Sequence, residues 1–216
     1  VCGPSRASVM TGKYPDFTQV WDLKTKIRAI HPEIITLTQH FKNNGYLTAG
    51  VGKIFDPRSV DKGADSRSWS EAYTQIWHLT YNKKTGKPIG HYHNSKSKTL
   101  AAEDKNANWS AVNKKLFAND AWPVVEALDV PDDAYDDGAI AAHAVKSLAK
   151  LAKKKKPFFL AVGFKKPHLP FVAPKRYWDR FDPKSIQLAP YQEAPLGAPK
   201  YAQHNSSELR SYNGIP

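Results

Sequence analysis

The chain has 216 residues, of which 41% are hydrophobic, and its 32 basic and 20 acidic side chains give a net charge of +12. This length and apolar content suit a globular core and exclude a wholly disordered chain. The sequence contains no run of about 18 apolar residues, so no membrane span is predicted. The charge admits nucleic acid, an anionic glycan or a membrane surface as partners, although the lysine run at residues 153–156 suits a solvated helix C-terminus.

The only cysteine of the chain opens residues 2–12, which read Cys-Gly-Pro-Ser-Arg-Ala-Ser-Val-Met-Thr-Gly. A single thiol cannot form an internal disulfide bond. Pro4 suits the first turn of a helix, and Gly12 suits a left-handed cap at its end. Cys2 is therefore predicted at a helix N-terminus, where free N–H groups and the helix dipole favour an anion, with Arg6 about one turn later.

Two plainer interpretations of this cysteine can be weighed from its residues alone. It could be a buried thiol that opens an ordinary helix. It could also be the nucleophile of a cysteine phosphatase, which holds phosphate in a loop between its cysteine and an arginine. Only Gly3, Pro4 and Ser5 separate Cys2 from Arg6, and this short spacer with its proline cannot form that loop.

The next segments predict a helix followed by a strand. Residues 13–32 show no clean period and predict a loop with a short strand at most. An amphipathic helix ending at Asn44-Gly45 is predicted by four residues at helical spacing: Ile34, Leu37, Thr38 and Phe41. Residues 46–51 then predict a strand. Lys53 follows its C-terminal end, where open α/β sheets place their functional sites.

Residues 57–128 are the least regular part of the chain, because their aromatic side chains follow no period. We interpret this stretch as a long insertion packed by its own side chains. His91 and His93 have the spacing of a metal-binding pair, but no third ligand follows at a suitable distance. Solvated loop histidines are therefore the favoured interpretation of the pair.

A second helix and strand follow this stretch. Asp136 and Asp137 suit a helix N-terminus, the apolar face behind them continues along the helix, and Pro157 ends it. Residues 158–164 form a continuous apolar run, which predicts a parallel strand buried on both faces. Two successive helix–strand pairs predict an α/β fold with a mostly parallel central sheet flanked by helices. Residues 172–216 predict an irregular tail.

The segment Lys-Lys-Pro-His-Leu-Pro-Phe at residues 165–171 directly follows that strand. Its two prolines stiffen the loop, and a histidine held there can donate a proton or bind an anion. His168 alone would more often be structural. Its position at a strand end, like that of Lys53, favours a functional role together with Cys2.

Residues 2–12 resemble the signature of the type I sulfatases, Cys-x-Pro-Ser-Arg followed by Thr-Gly. Residues 52–55 and 166–171 resemble matching segments of the iduronate-2-sulfatase branch of that family, and order and spacing agree to about residue 195. The resemblance implies an alkaline-phosphatase-like α/β fold that is incomplete in this chain. Residues 1–216 are accordingly expected to form part of a single catalytic domain.

The resemblance also implies roles for four residues. In that family the cysteine matching Cys2 is oxidised by a formylglycine-generating enzyme to formylglycine, which acts as nucleophile and metal ligand. The arginine matching Arg6 steadies it, while Lys53 and His168 are expected to bind sulfate. The implied cofactor is a divalent cation, with calcium expected, whose other ligands match no residue of this chain.

The resemblance implies hydrolysis of sulfate from a sulfated sugar or a glycosaminoglycan-like polysaccharide, although this piece is expected to be inactive alone. No nucleic acid and no membrane span are expected. A periplasmic, secreted or lysosomal-like location rests on analogy with the family. Two alternatives stay open, a non-catalytic basic module that binds polyanions and a phosphate-ester hydrolase of the same superfamily. Cys2 favours sulfate, because a serine or threonine nucleophile would favour phosphate.

One position departs from the branch. Its Gly-Lys-x-Phe segment is normally followed by a histidine beside the nucleophile, and here that place is taken by Asp56. A carboxylate cannot act as an imidazolium and brings negative charge near a sulfate. Three explanations are open: a neighbouring histidine substitutes for the missing one, the metal site offsets the negative charge, or the activity is altered.

Overall fold

The computed structural model of the chain describes residues 1–79, 81–82, 87–88, 92–103 and 109–215. It divides into two compact units, each formed by two stretches of chain. The first unit consists of Val1–Pro88 and Asp136–Lys165, and the second consists of Ile89–Tyr135 and Lys166–Pro216. A single domain with a long insertion over residues 57–128 stays a prediction.

Along the described residues, four helices precede the first strand, and helices and strands then follow in mixed order. The α-helices are α1 (Cys2–Thr11), α2 (Pro15–Thr18), α3 (Ile27–Ile30), α4 (Leu37–Asn43), α5 (Ile76–Leu79), α6 (Ser95–Glu103), α7 (Trp109–Ala118), α8 (Asp136–Ala152) and α9 (Lys175–Trp178). The strands are β1 (Leu47–Gly52), β2 (Tyr81–Asn82), β3 (Lys87–Pro88), β4 (Val125–Leu128), β5 (Phe158–Gly163) and β6 (Phe171–Pro174). Short 3₁₀ helices cover Ser66–Ser68, Pro183–Ser185, Lys200–Ala202 and Leu209–Ser211.

The first unit is organised by the parallel pair β1 and β5, whose register runs from Leu47 opposite Phe158 to Gly52 opposite Gly163. Helix α8 precedes β5 and contacts both strands. Parallel neighbours need such a crossover, since a tight turn cannot join them. The second unit contains the parallel pair β4 and β6. The predicted α/β class, with parallel strands and flanking helices, is confirmed.

Helix α1 has the bounds that the opening motif predicts. Gly12 follows it with φ 65°, and its N–H donates to the carbonyl of Ser8 at 2.8 Å. The buried residues of the helix, Gly3, Ala7 and Met10, lie on one face. Ala7 and Met10 pack in one cluster with Val20, Ile54 and Phe55, so the residues after β1 form part of the same core as α1.

Helices α4 and α8 confirm the two predicted amphipathic helices, but α4 begins later than its apolar spacing suggests. Thr36 is its N-cap, and the Thr36 hydroxyl accepts from the N–H of Gln39 at 3.2 Å. Such a cap satisfies a free N–H group at the first turn and sets the start of the helix. Ile34 therefore lies outside the helix, although it packs against the core.

Two further expectations are wrong in detail. Residues 13–32 contain α2 and α3 rather than a strand, and helices this short produce no readable period. In β5 only Gly163 is fully buried, while the other positions are half-buried. Among the described residues β5 pairs with β1 alone, so its second edge leaves the apolar side chains partly accessible.

The lysine run at residues 153–156 is exposed after the end of α8, with Lys154 paired to Glu71, which agrees with its interpretation as a solvated helix terminus. In the second unit, residues 172–216 include the end of β6, α9 and three of the short 3₁₀ helices. No α-helix within the described residues is both long enough and apolar enough to cross a membrane.

Gly52 and Gly12 offer a matched test of backbone constraint in the first unit. Both have positive φ, but a Cβ on Gly52 would lie 2.0 Å from the carbonyl oxygen of Gly163, whereas one on Gly12 would meet nothing within 4 Å. We expect Gly52→Ala to lower the free energy of unfolding by about 3 kcal/mol and Gly12→Ala by about 1 kcal/mol. Urea denaturation of the full-length protein measures both, and equal losses would contradict the steric explanation.

Candidate active site

Cys2 and Lys53 face each other in the first unit. The ammonium Nζ of Lys53 donates to the sulfur Sγ of Cys2 at 3.2 Å, across 51 positions of sequence. Cys2 is the first residue of α1, and Lys53 is the first residue after β1. The structure thus brings together two of the predicted site residues, and their catalytic roles stay predictions.

Two glycines place Lys53 at the end of the strand pair. Gly52 has φ 88°, which allows the chain to turn as it leaves β1. The N–H of Lys53 then donates to the carbonyl of Gly163 at 2.7 Å. A Cβ on Gly163 would lie 2.4 Å from the carbonyl carbon of Lys53, so a larger residue would displace the backbone that carries the lysine.

Arg6 lies one helical turn after Cys2 in α1. It connects α1 to the chain segment that follows β1. Its Nε donates to the carbonyl of Ile54 at 2.6 Å. Burial lowers the pKa of Arg6, and the neighbouring Tyr73 and Cys2 oppose that shift. The pKa of an arginine is so high that the guanidinium stays charged. Arg6 is therefore a fixed cation beside the thiol.

Tyr73 contacts the backbone on both sides of Lys53, although its sequence context did not indicate a site residue. Its hydroxyl donates to the carbonyl of Gly52 and accepts from the N–H of Ile54 at 3.3 Å. Burial raises the pKa of Tyr73 to about 12, so its hydroxyl stays protonated. Tyr73 therefore fixes the backbone on both sides of Lys53. Its position in an irregular aromatic stretch gave no signal of this role.

Asp56 is buried and paired with Arg58. Its side chain is 1% exposed, and it accepts from the N–H of Arg58 at 3.0 Å, from Nε at 2.9 Å and from Nη2 at 2.8 Å. Burial alone would raise the pKa of Asp56. The hydrogen bonds from Arg58 and the charge of Lys53 outweigh burial and hold that pKa below its ordinary value.

This ion pair adds an explanation to the three that the sequence left for Asp56. The negative charge in the place of the branch's histidine is matched by a guanidinium two positions later. A charge pair at this spacing is the signal by which the sequence could have indicated Arg58. Arg6, Lys53 and Arg58 together outnumber the one carboxylate, so this group favours an anion.

The turn that carries Asp56 and Arg58 also packs against the start of α1. A Cβ on Gly3 would lie 2.4 Å from the carbonyl oxygen of Asp22 and 2.9 Å from the hydroxyl Oγ of Ser59. Ser59 is 2% exposed, and its hydroxyl has no hydrogen-bond partner among the described residues. Glycine at position 3 thus permits the close approach of residue 59 to the residue next to Cys2.

His168 lies in the second unit, and its grouping with Cys2 stays a prediction. Its Nδ1 donates to the carbonyl of Leu169 at 2.7 Å, and its Nε2 lies 3.5 Å from Oε1 of Glu208. The ammonium of Lys166 donates to the carbonyls of His168 and Pro170. The histidine is thus held in its loop, with its side chain 35% exposed.

The histidine pair of the irregular stretch is described only at His93, since His91 lies outside the described residues. The solvated interpretation is wrong for His93, which is half-buried. Its Nε2 donates to the carbonyl of Ala134 at 2.8 Å, and its ring packs edge-on against Tyr135. These contacts hold the imidazole within the second unit.

A divalent cation does not fit the donor set around Cys2. The side chains near the thiol are Lys53 and Arg6, which are cations, and the carboxylate of Asp56 is already paired with Arg58. Across the described ranges, no group of three or more histidine, cysteine, aspartate or glutamate residues is placed to hold a metal ion. The residues present here do not form a cation site by themselves.

Asp56 leads to a prediction about stability and pH. Because its pKa is lowered in the folded state, its ion pair stabilises the protein above the unfolded pKa of about 3.9 and is lost as the pH falls through the folded value. We expect Asp56→Asn to lower the free energy of unfolding by about 2 kcal/mol at pH 7, and by progressively less below about pH 4. Urea denaturation of the full-length protein across this range measures the difference.

The matched control is Glu33→Gln, because the Glu33 side chain is 88% exposed in its pairing with Arg67. Exposed ion pairs contribute little to stability, so this variant should follow the wild type at every pH. A constant difference between wild type and Asp56→Asn from pH 7 to pH 3 would show that Asp56 is not an ionised, paired carboxylate.

Comparison with known proteins finds sulfatases. The family model described as Sulfatase matches residues 1–212. The chain is 34% identical over 215 residues to iduronate 2-sulfatase of Homo sapiens, an alignment that covers 100% of the chain and 35% of the relative. It is 30% identical over 204 residues to a sulfatase of Formosa agariphila, covering 91% of the chain and 35% of the relative. The chain thus spans 35% of the length of these curated relatives.

Solved structures with similarity to the chain include that of Ps i-CgsB in complex with k-i-k-neocarrahexaose. The TM-score is 0.44 at 21% sequence identity, and the match covers 77% of the chain and 34% of the solved chain. Another structure of Ps i-CgsB gives a TM-score of 0.43 at 23% identity. Since the family model matches nearly the whole chain, the protein belongs to the sulfatase family.

Proposed function

We propose that the full-length protein hydrolyses the sulfate ester of a sulfated sugar or polysaccharide, with the nucleophile derived from Cys2. The observation that carries this proposal is the contact of Lys53 Nζ with Cys2 Sγ at the first residue of α1. Membership of the sulfatase family supports the reaction, and the identity with iduronate 2-sulfatase supports an iduronate-2-sulfatase-like substrate.

The local charges suit the binding of a sulfate group. The first N–H groups of a helix and its dipole favour an anion, and α1 presents them beside Cys2. Lys53 is directed at Cys2, and Arg6, held on the carbonyl of Ile54, adds a second fixed positive charge nearby. An arriving sulfate would therefore need little rearrangement of the protein. An anion bound beside Cys2 would replace its hydrogen bonds to water with hydrogen bonds from the protein.

Formylglycine made from Cys2 by a formylglycine-generating enzyme would supply a hydrated aldehyde, whose one hydroxyl displaces the alcohol at sulfur while the other restores the aldehyde and releases sulfate. The residues of this chain would bind and orient the ester. Lys53 donates to the group at position 2 or to a sulfate oxygen, and Arg6 holds the turn after β1. His168 would bind a sulfate oxygen or give a proton to the leaving alcohol.

The calcium ion that the family resemblance implies would take its other ligands from residues that match none in this chain, so the steps above are those of the chain's own residues. Among the described residues, no group of three or more histidine, cysteine, aspartate or glutamate side chains is placed to hold it. Hydrolysis of a phosphate ester remains the second candidate, because the thiol-bearing residue and its cations would bind either tetrahedral anion. The cysteine at position 2 favours the sulfate ester.

Conversion of Cys2 is tested by mass spectrometry of its tryptic peptide. We expect the peptide to carry an aldehyde in place of the thiol when the full-length protein is produced together with a formylglycine-generating enzyme. A Cys2→Ser variant prepared in the same host provides the unconverted control. Finding the free thiol alone in a host that converts a known sulfatase would contradict the proposed nucleophile.

Turnover tests the roles of Cys2 and Lys53. We expect Cys2→Ala to abolish hydrolysis of 4-methylumbelliferyl sulfate, because it removes the precursor of the nucleophile. Lys53→Ala should leave the protein folded and lower kcat/KM about 100-fold, as loss of one preorganised donor does elsewhere. Lys150→Ala is the control, since that lysine is 66% exposed and pairs with Glu71. Full activity of a folded Cys2→Ala variant would refute the assignment.

A further inference from the structure

Asp56 and Arg58 form a pair whose two members differ sharply in exposure. The carboxylate is 1% exposed, whereas the side chain of Arg58 is 54% exposed. Water around the arginine weakens its attraction to the carboxylate, so this pair neutralises the buried charge less strongly than a buried arginine would. The Arg58 side chain is thus 54% exposed while its Nε and Nη2 are held by the carboxylate.

Two independent observations place the Asp56–Arg58 pair close to Cys2 and Lys53. The charge of Lys53 helps to lower the pKa of Asp56. The Nζ of the same lysine lies 3.2 Å from Cys2 Sγ. Ser59, the residue after Arg58, lies against Gly3, the residue after Cys2. Neighbouring α-carbons are about 3.8 Å apart, so the backbone of Arg58 passes close to the N-terminus of α1. The Arg58 side chain therefore starts in the neighbourhood of Cys2.

The chemistry of the pair suits anion recognition. Nε and Nη2 of Arg58 both donate to the carboxylate of Asp56, so the planar fork is oriented before any ligand arrives. A guanidinium held in this way loses little freedom when it binds an oxyanion and favours paired contacts with its oxygens. A buried carboxylate next to an exposed arginine is thus a means of positioning a cation.

We propose that Arg58 is a substrate-binding residue that contacts the sulfate group held at Cys2 and Lys53, and that Asp56 is the positioning residue that orients it. This inference rests on the proposed function. It also explains how a carboxylate is tolerated where the branch has a histidine, since Arg58 supplies the positive charge that the aspartate lacks. The ligand class is the sulfate monoester, and inorganic sulfate is its simplest mimic.

The test uses the full-length, converted protein with 4-methylumbelliferyl sulfate as substrate and inorganic sulfate as competitive inhibitor. We expect Arg58→Gln to raise the inhibition constant of sulfate and the KM about tenfold, the usual effect of losing one charge-assisted hydrogen bond. Arg58→Lys, which keeps the charge but not the fork, should lie between this variant and the wild type.

The double variant Asp56→Asn, Arg58→Gln separates recognition from simple neutralisation. It removes both charges, so no buried carboxylate is left unpaired even if Arg58→Gln alone fails to fold. We expect the double variant to keep the tenfold weaker sulfate inhibition. Recovery of the wild-type inhibition constant in the double variant would overturn the proposal, because Arg58 would then only neutralise Asp56.

Arg67→Gln is the matched control. Arg67 is 51% exposed, pairs with Glu33 at 3.5 Å and lies in the same unit, so its loss removes an equal charge at a comparable exposure. It should leave sulfate inhibition unchanged, and an equal effect of Arg67→Gln would refute a specific contact by Arg58. An active wild type with unaltered Arg58 variants would overturn this inference alone. A converted wild type that is inactive on both the aryl sulfate and sulfated sugars would overturn the proposed function.

Discussion

The group around Cys2 depends on how the parallel strands β1 and β5 end. Gly52 and Gly163 lie opposite each other, and the absence of side chains lets the N–H of Lys53 bond to the carbonyl of Gly163. A Cβ on either glycine would lie 2.4 Å or less from backbone atoms of the other strand's end. The position of the lysine is therefore fixed by backbone contacts. Tyr73 strengthens this arrangement, because its half-buried hydroxyl bonds to the backbone on both sides of Lys53.

Three cations and one carboxylate lie around this frame. Arg6 bonds to the carbonyl of Ile54, Lys53 contacts Cys2, and Asp56 stands between Lys53 and Arg58. A buried carboxylate without a partner would be strongly destabilising, and pairing it with a half-exposed arginine avoids that loss. The outcome is a region with an excess of positive charge beside a helix N-terminus. Such a region favours tetrahedral anions of either sulfur or phosphorus, and under the proposed function the residue at position 2 selects between them.

Much of this could be predicted from the sequence because its signals are local. The opening motif contains its own helix start and its glycine cap, and the bounds of α1 follow from them. The periodic apolar faces of α4 and α8 are likewise local, as is the apolar run of β5. The start of α4 was misplaced because one hydroxyl, that of Thr36, outweighs the apolar spacing. The four-residue helices α2 and α3 are too short to show a period at all.

The sequence by itself determined the family, the α/β class and the residue types at positions 2, 6 and 53, since motifs and short-range periodicity survive in one dimension. Only the tertiary structure decided that Lys53 contacts Cys2, that Tyr73 holds the turn after β1, and that Asp56 is paired rather than facing the site as a free charge. These contacts join residues from separate elements, and their energies depend on burial and on distances that no spacing along the chain encodes.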